Sequence, residues 1–348
     1  MPLFTAERQF LTDLFTGPFR GHGIIMDAVQ PPSPFPGEDV AMSAHPVAEW
    51  LPWAVTCFET WRAWHETLGD DAVPFGRIMT GTETFASAFG CAVHLHENSL
   101  PSARPLVTTP QEADALLEPD LSARPLARML EFAALLVAEL GPDVPIGGMD
   151  YQSPFDVAAL IWNKQDLFLA LYEAPDAVRG LVGKCQNVLE KYTREFLRLV
   201  PDANLCHCPM AWAPPELGFW LSEDEAGSMS VPMFEGFCLP GLVALSERWG
   251  GLFMHCCATA DHQYPSFRKI PHLRGLNRAF QAPGPRPAVE AFAGETVLMN
   301  AWMGEAQVRE IVEWAQPGSR FLFNMSSANL EEAKPLFATL RALCPRSE

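Results

Sequence analysis

In the second half of the chain, short apolar runs alternate with longer amphipathic stretches. The runs at 203–208 (ANLCHC), 251–255 (GLFMH), 273–277 (LRGLN), 295–300 (ETVLMN) and 320–324 (RFLFN) read as buried strands. The first half adds 23–27 (GIIMD), a weaker run near 75–80, and 144–150 (VPIGGMD). Helix signals fall between them. Thr109-Pro110-Gln111-Glu112 sets a cap residue before a proline at the first helical position. Ser222-Glu223-Asp224-Glu225 has the spacing of a capping box. Ala174-Pro175-Asp176 opens an amphipathic helix that runs to about Val200. The proline-rich stretch 30–37 (QPPSPFPG) is an irregular loop.

Strands that alternate with helices argue for a parallel sheet, and eight strands is the closure number of a (β/α)8 TIM barrel. The pattern therefore predicts an α/β fold, one barrel domain over 1–348 with an N-terminal helical extension. An open doubly wound sheet is the alternative, because the second strand is weakly marked. No GxGxxG stands at a strand-to-helix turn, which argues against a dinucleotide-binding sheet.

Composition narrows the function. Of 348 residues, 48% are apolar and 19% charged, enough apolar surface to order the chain. No stretch of about 18 residues is free of charge, so no membrane helix is expected. The N-terminal MPLFTAERQF lacks the apolar run of a signal peptide, and a cytoplasmic location is expected. The net charge of −18, with five lysines and no basic cluster, is repelled by phosphate backbones, which excludes nucleic acid as a partner. Nine cysteines without a secretory signal do not read as a disulfide framework.

Four of those cysteines stand in two clusters, Cys206-His207-Cys208 and His255-Cys256-Cys257. On an extended strand end, His255 and Cys257 leave the same face, and an imidazole nitrogen beside a thiolate suits zinc. The other cluster ends the preceding predicted strand. There, Cys206 and Cys208 share one face and His207 takes the other, so either the cysteines or the histidine can complete a three-ligand site. Packing is the competing reading for any buried cysteine, and a nucleophilic cysteine is the competing chemistry. The tryptophans at 50, 53, 61 and 64 have helical spacing and read as core or as a dimer face.

The block Ser153-Pro154-Phe155-Asp156-Val157-Ala158-Ala159-Leu160 resembles the uroporphyrinogen decarboxylase superfamily. So do Leu221-Ser222-Glu223-Asp224-Glu225-Ala226-Gly227, the stretch from Ser230 to Pro240, and Gly250-Gly251-Leu252-Phe253-Met254-His255-Cys256-Cys257. The resemblance implies a (β/α)8 barrel. It separates two branches. The decarboxylases hold a many-carboxylate tetrapyrrole with paired N-terminal arginines, and around Phe19-Arg20-Gly21-His22 there is one. Their turn after the last strand is replaced by Asn324-Met325-Ser326-Ser327. The other branch comprises zinc-dependent methyltransferases that pass methyl groups between corrinoid proteins and thiols or amines. His255 and Cys257 match its His-x-Cys, while Met325 and Ser326 stand where its third cysteine would be.

The expected activity is methyl transfer to or from a thiol or a corrinoid carrier. Zinc is expected on His255, Cys257 and one of Cys206, His207 or Cys208. Asp150, Glu223 and His262 are the candidate catalytic groups, and Gln152, Asn277 and Trp302 the candidate cofactor-binding ones. Glu223 and Asp224, both near the same mouth, read first as first-turn acids favoured by a helix dipole, Asp150 equally as a helix cap, and Asp261 and His262 as residues orienting the ligands. A small-molecule substrate is expected, with a corrinoid protein as partner and a homodimer as the common assembly of the superfamily. A metal-free decarboxylase or lyase holding a carboxylated substrate with Arg20, Arg77, Arg274 and Arg278 is the enzymatic alternative, and a non-catalytic binding protein the other.

Overall fold

A computed structural model describes residues 3–96, 99, 101–280, 284–301 and 303–347. Eight short parallel strands carry the site: β1 Gly23–Asp27, β2 Ile146–Gly147, β3 Ala203–Asn204, β4 Phe219–Ser222, β5 Leu252–Cys256, β6 Leu273–Arg278, β7 Val297–Asn300 and β8 Phe321–Ser326. Six of them form one sheet in the order β1-β8-β7-β6-β5-β4. Buried on both faces, these strands read as near-continuous apolar runs, which is why the sequence marks them so clearly.

The ring closes through irregular backbone. Gly76 bridges to Ile146, and Gln152, beyond the end of β2, bridges to Ser222 of β4. β3 pairs with β2 at Ile146 and Gly147, beside the lower part of this closure. No strand lies on the open edge of β1 among the described residues. Instead the Asp71 carboxylate accepts the Ile24 N–H at 2.8 Å and the Asp70 carboxylate the Met26 N–H at 2.7 Å. Arg341 and Arg346 in turn hold Asp71, at 2.6 and 3.0 Å.

This arrangement corrects the expected strand set at two places. The run near 75–80 contributes one bridge rather than a strand, because aspartate side chains satisfy the edge it would have paired. The segment 219–222 is a strand instead of a helix approach. The Ser222 N–H bonds the Tyr151 carbonyl at 2.8 Å, so the capping box expected there does not form. The other helix signals hold: Thr109 caps its helix with Glu112 in a reciprocal box, and the long helix spans Pro175–Leu199.

Helix α1 (Thr5–Thr16) is the expected N-terminal extension and covers the base of the barrel. Its Phe15 ring meets Phe253 edge-on at 4.9 Å, and a Cβ at Gly23 would collide with Leu14 and Leu322, so only glycine lets α1 approach that closely. Helix α2 (Leu51–Leu68) and the residue just before it bury Trp50, Trp61 and Trp64 against the barrel wall, Trp61 lying edge-on to Phe75 at 5.0 Å. The tryptophan stripe is core. With the base plugged, the open end is where the strands finish, the usual place for chemistry in this architecture. No helix among the described residues is long and apolar enough to cross a membrane.

Candidate metal centre

Adjacent strand ends supply the centre. Asp224 stands two residues past β4, while β5 delivers His255 near its end and Cys257 just beyond it. One ligand atom from each of these residues lies within 4.8 Å of the other two. Ser222 and His255 are register partners, which sets the loop after β4 against the end of β5. The Asp224 carboxylate accepts the Cys257 N–H at 2.6 Å and is itself positioned by Asp156, whose carboxylate accepts the Asp224 and Glu225 N–H groups at 2.6 and 3.1 Å. Asp156 sits in the first turn of helix α3 (Pro154–Ile161), capped by the Ser153 hydroxyl at 2.9 Å.

Asn277 of β6 decides which imidazole nitrogen is presented. Its amide nitrogen donates to the Met299 carbonyl at 2.5 Å, so its oxygen faces His255 Nδ1, also at 2.5 Å. Nδ1 must then carry the proton, which puts the Nε2 lone pair on the side of Asp224, at 3.9 Å from Oδ1. Burial pushes the His255 imidazole below its usual range, toward the neutral form that binds metals. Partial burial and the Asp224 charge push the Cys257 thiol up to about 12, a balance that a divalent cation held here would reverse.

The second cysteine–histidine cluster divides. Strand β3 ends at Asn204, so the alternation expected across 206–208 does not apply. Cys206 is buried in the core. Cys208 Sγ lies 3.4 Å from His255 Nδ1, on the nitrogen turned to Asn277 rather than the one facing Asp224. His207 Nε2 lies 3.1 Å from Asp150 Oδ1 and 3.3 Å from the Ser222 hydroxyl. Neither Cys208 nor His207 joins the three close ligand atoms, and Asp224 takes the place assigned to them. The sequence already sets Asp224 among the acids near the mouth but not among the ligands; reading 219–222 as a strand places it just past a strand end, beside His255 and Cys257.

Asp150 and Gln152 are brought to that mouth, the Gln152 amide donating to Asp150 Oδ1 at 2.8 Å. Although burial opposes it, the His207 charge and the bonds from His207 and Gln152 hold the Asp150 carboxyl below its usual range. Glu223 is not at the mouth. It is fully buried next to Asp156, and burial pushes its carboxyl up to about 7. His262 is turned away as well, its Nε2 lying 2.9 Å from the Met229 carbonyl oxygen. Asp261 lies beside Arg278 at 3.7 Å instead of behind a ligand. Trp302 lies outside the described residues.

Residues 59–213 match the family described as uroporphyrinogen decarboxylase (URO-D). Among solved structures, a methyltransferase from Methanosarcina mazei superposes with a TM-score of 0.66 at 16% identity, covering 97% of this chain and 98% of that one. No curated protein matches the sequence. Residues 59–213 thus match the family whose motifs the sequence resembles, and the fold of the whole chain is like that of this methyltransferase.

Proposed function

We propose that the chain is a zinc-dependent methyltransferase whose metal is held by Asp224, His255 and Cys257. The observation that carries this reading is the convergence of one carboxylate, one oriented imidazole and one thiol on a single point. Oxygen, nitrogen and sulfur ligands together suit zinc, and three protein ligands with a fourth position open is the arrangement of catalytic rather than structural sites. When bound, the metal would supply the positive charge that keeps a sulfur ionised near neutral pH and ready to take a methyl group.

The remaining work belongs to the protein. Asn277 fixes the His255 tautomer, and Asp156 holds the backbone that carries Asp224. The base of the barrel is closed by α1, so substrates reach the centre from the mouth. A corrinoid-carrying partner as the methyl source fits the branch whose His-x-Cys motif this chain shares.

The decarboxylase alternative needs guanidinium groups gathered at the mouth. Arg20 is engaged with Asp13 at 3.0 Å, next to the C-terminal end of α1. Arg274 reaches the Gly250 carbonyl at 3.4 Å, and Arg278 is bound to the Cys256 and Ala258 carbonyls. That leaves Arg77, too little for a substrate with several carboxylates.

The test is metal analysis of protein purified without chelators or a metal-binding tag. About one zinc per chain is expected in the wild type, and none in a His255→Ala/Cys257→Ala variant. Equal zinc in both proteins would sink the assignment.

A further inference from the structure

The closed end of the barrel holds a cavity of its own. It measures about 220 Å³ and lies between the C-terminal end of α1 and the lower ends of β6, β7 and β8. Phe15, Thr16, Arg274, Glu295, Thr296 and Arg320 are among the residues that line it. The candidate metal centre stands at the other end of the sheet and shares no residue with it.

Two of the lining groups are guanidiniums without a charged partner. Arg274 is the second residue of β6. Its Nη2 reaches only the Gly250 carbonyl, at 3.4 Å, and its Nε is buried with no hydrogen-bond partner. Burial holds its pKa below the usual arginine range, with no carboxylate acting against that shift. Arg320 stands just before β8. Its Nη1 donates to the Asp13 and Leu14 carbonyls at 2.8 and 2.9 Å, and its Nη2 to the Gly17 carbonyl at 2.9 Å. These acceptors at the end of α1 are uncharged.

The acids beside the two arginines are already engaged elsewhere. Arg20 Nε holds the Asp13 carboxylate at 3.0 Å, and Arg268 forks onto both oxygens of Glu295 at 3.2 and 2.9 Å. Among the described residues neither Arg274 nor Arg320 forms a salt bridge, although both line the same cavity. A guanidinium drawn out of water without an anion is unfavourable, so an anion here would be stabilising.

The size and the geometry limit what that anion is. Sites for drug-sized ligands measure roughly 300–1,000 Å³, so this smaller space suits a small ion. Guanidiniums arriving from β6 and from the start of β8 call for oxygens on more than one side of the ligand. A tetrahedral oxyanion offers them, whereas a planar carboxylate presents its two oxygens along one edge. The net charge of −18 repels anions from the rest of the surface, which makes binding at this pair local.

We propose that the base of the barrel is a binding site for a small tetrahedral oxyanion, inorganic phosphate or the phosphate group of a small monoester, held between Arg274 and Arg320. Arg320 already grips the last turn of α1, so an anion that joins it to Arg274 ties α1 to β6 and β8. Occupancy stiffens the seal at the base and leaves the mouth free.

Calorimetric titration of the chelator-stripped protein with phosphate tests this, at about pH 8, where phosphate is a dianion, and at an ionic strength held constant with sodium chloride. Saturable binding at a single site per chain is expected. The His255→Ala/Cys257→Ala variant should bind phosphate unchanged, and Arg274→Gln about 10-fold or more weakly. Acetate at the same ionic strength should bind about 10-fold or more weakly than phosphate to the wild type. Methyl phosphate separates the two sources: tighter binding than phosphate assigns the site to an ester, and weaker binding assigns it to the free ion. No saturable phosphate binding, equal binding of acetate, or binding lost in the His255→Ala/Cys257→Ala variant but kept in Arg274→Gln overturns the proposal. Should Arg274→Gln fail to fold, Arg274→Lys takes its place, since it keeps the charge and loses the fork. Weaker phosphate binding in that variant supports the site, and unchanged binding overturns it.

Discussion

A single amide sets the chemistry of the centre. Asn277 can accept from His255 Nδ1 only because its other end is committed to the Met299 carbonyl. Asn277→Ala is expected to lower metal affinity about 10- to 100-fold, read by competition with a chelator of known affinity. Asn277→Asp keeps an acceptor against Nδ1 and should retain most of that affinity; equal loss in both variants would assign Asn277 a packing role only. Glu83 gives a prediction of another kind. Its carboxyl, ordinarily near 4.5, is pushed up to about 9 by burial and by the Asp39 charge. A carboxyl with a higher pKa in the folded state binds more protons folded than unfolded. Its contribution is therefore complete below about 4.5 and is lost as pH rises toward 9. Glu83→Gln should flatten the fall in unfolding free energy between these limits, by up to about 1.4 kcal/mol per pH unit. Denaturant titrations across that range check it, and parallel profiles for wild type and variant would refute it.

At the scale of elements, legibility follows hydrogen bonding. Strand β1 was readable to the residue, and β5 to β8 to within two residues, because strands buried on both faces keep an apolar run. Where the ring closes by other means, the run disappears. Asp70 and Asp71 serve the edge of β1 with side-chain oxygens, which leaves a polar signature no strand pattern reports. β2 and β3 are two-residue pairings whose neighbours turn away, so reading 203–208 as one strand projected a face alternation that the backbone does not follow. The same boundary explains the site. His255 and Cys257 were legible because they sit at the end of a well-marked strand. The place of Asp224 among the ligands was hidden because Ser222-Glu223-Asp224-Glu225 carries a capping-box spacing, which makes it read as a first-turn acid. Local sequence favours a helix start there, but the pairing of Ser222 with Tyr151 and of Phe219 with Gly251 claims the segment for the barrel.

Across the whole molecule, the proposed metal centre ties together parts of the chain that are distant in sequence. Asp224, His255 and Cys257 meet only when β4 and β5 are paired, Asn277 requires β6, and Asp156 arrives from a helix near the middle of the chain. The unfolded chain has no such site, so metal binding at the proposed centre would be linked to folding. Zinc in free excess at 100 times its Kd should stabilise the fold by about 2.7 kcal/mol, seen as a concentration-dependent rise in melting temperature. The net charge of −18 complicates that experiment, since any divalent cation relieves the self-repulsion of an acidic protein. Two controls separate the effects. Magnesium at the same concentration reports the general relief, because it prefers oxygen ligands in an octahedral arrangement that this trio does not offer. The His255→Ala/Cys257→Ala variant has the same surface charge without the centre. Zinc should therefore raise the wild type well above its magnesium value, and should move the double variant no further than magnesium does. An equal response of both proteins to zinc would mean that the acidic surface, and not the triad at the barrel mouth, is what the metal binds.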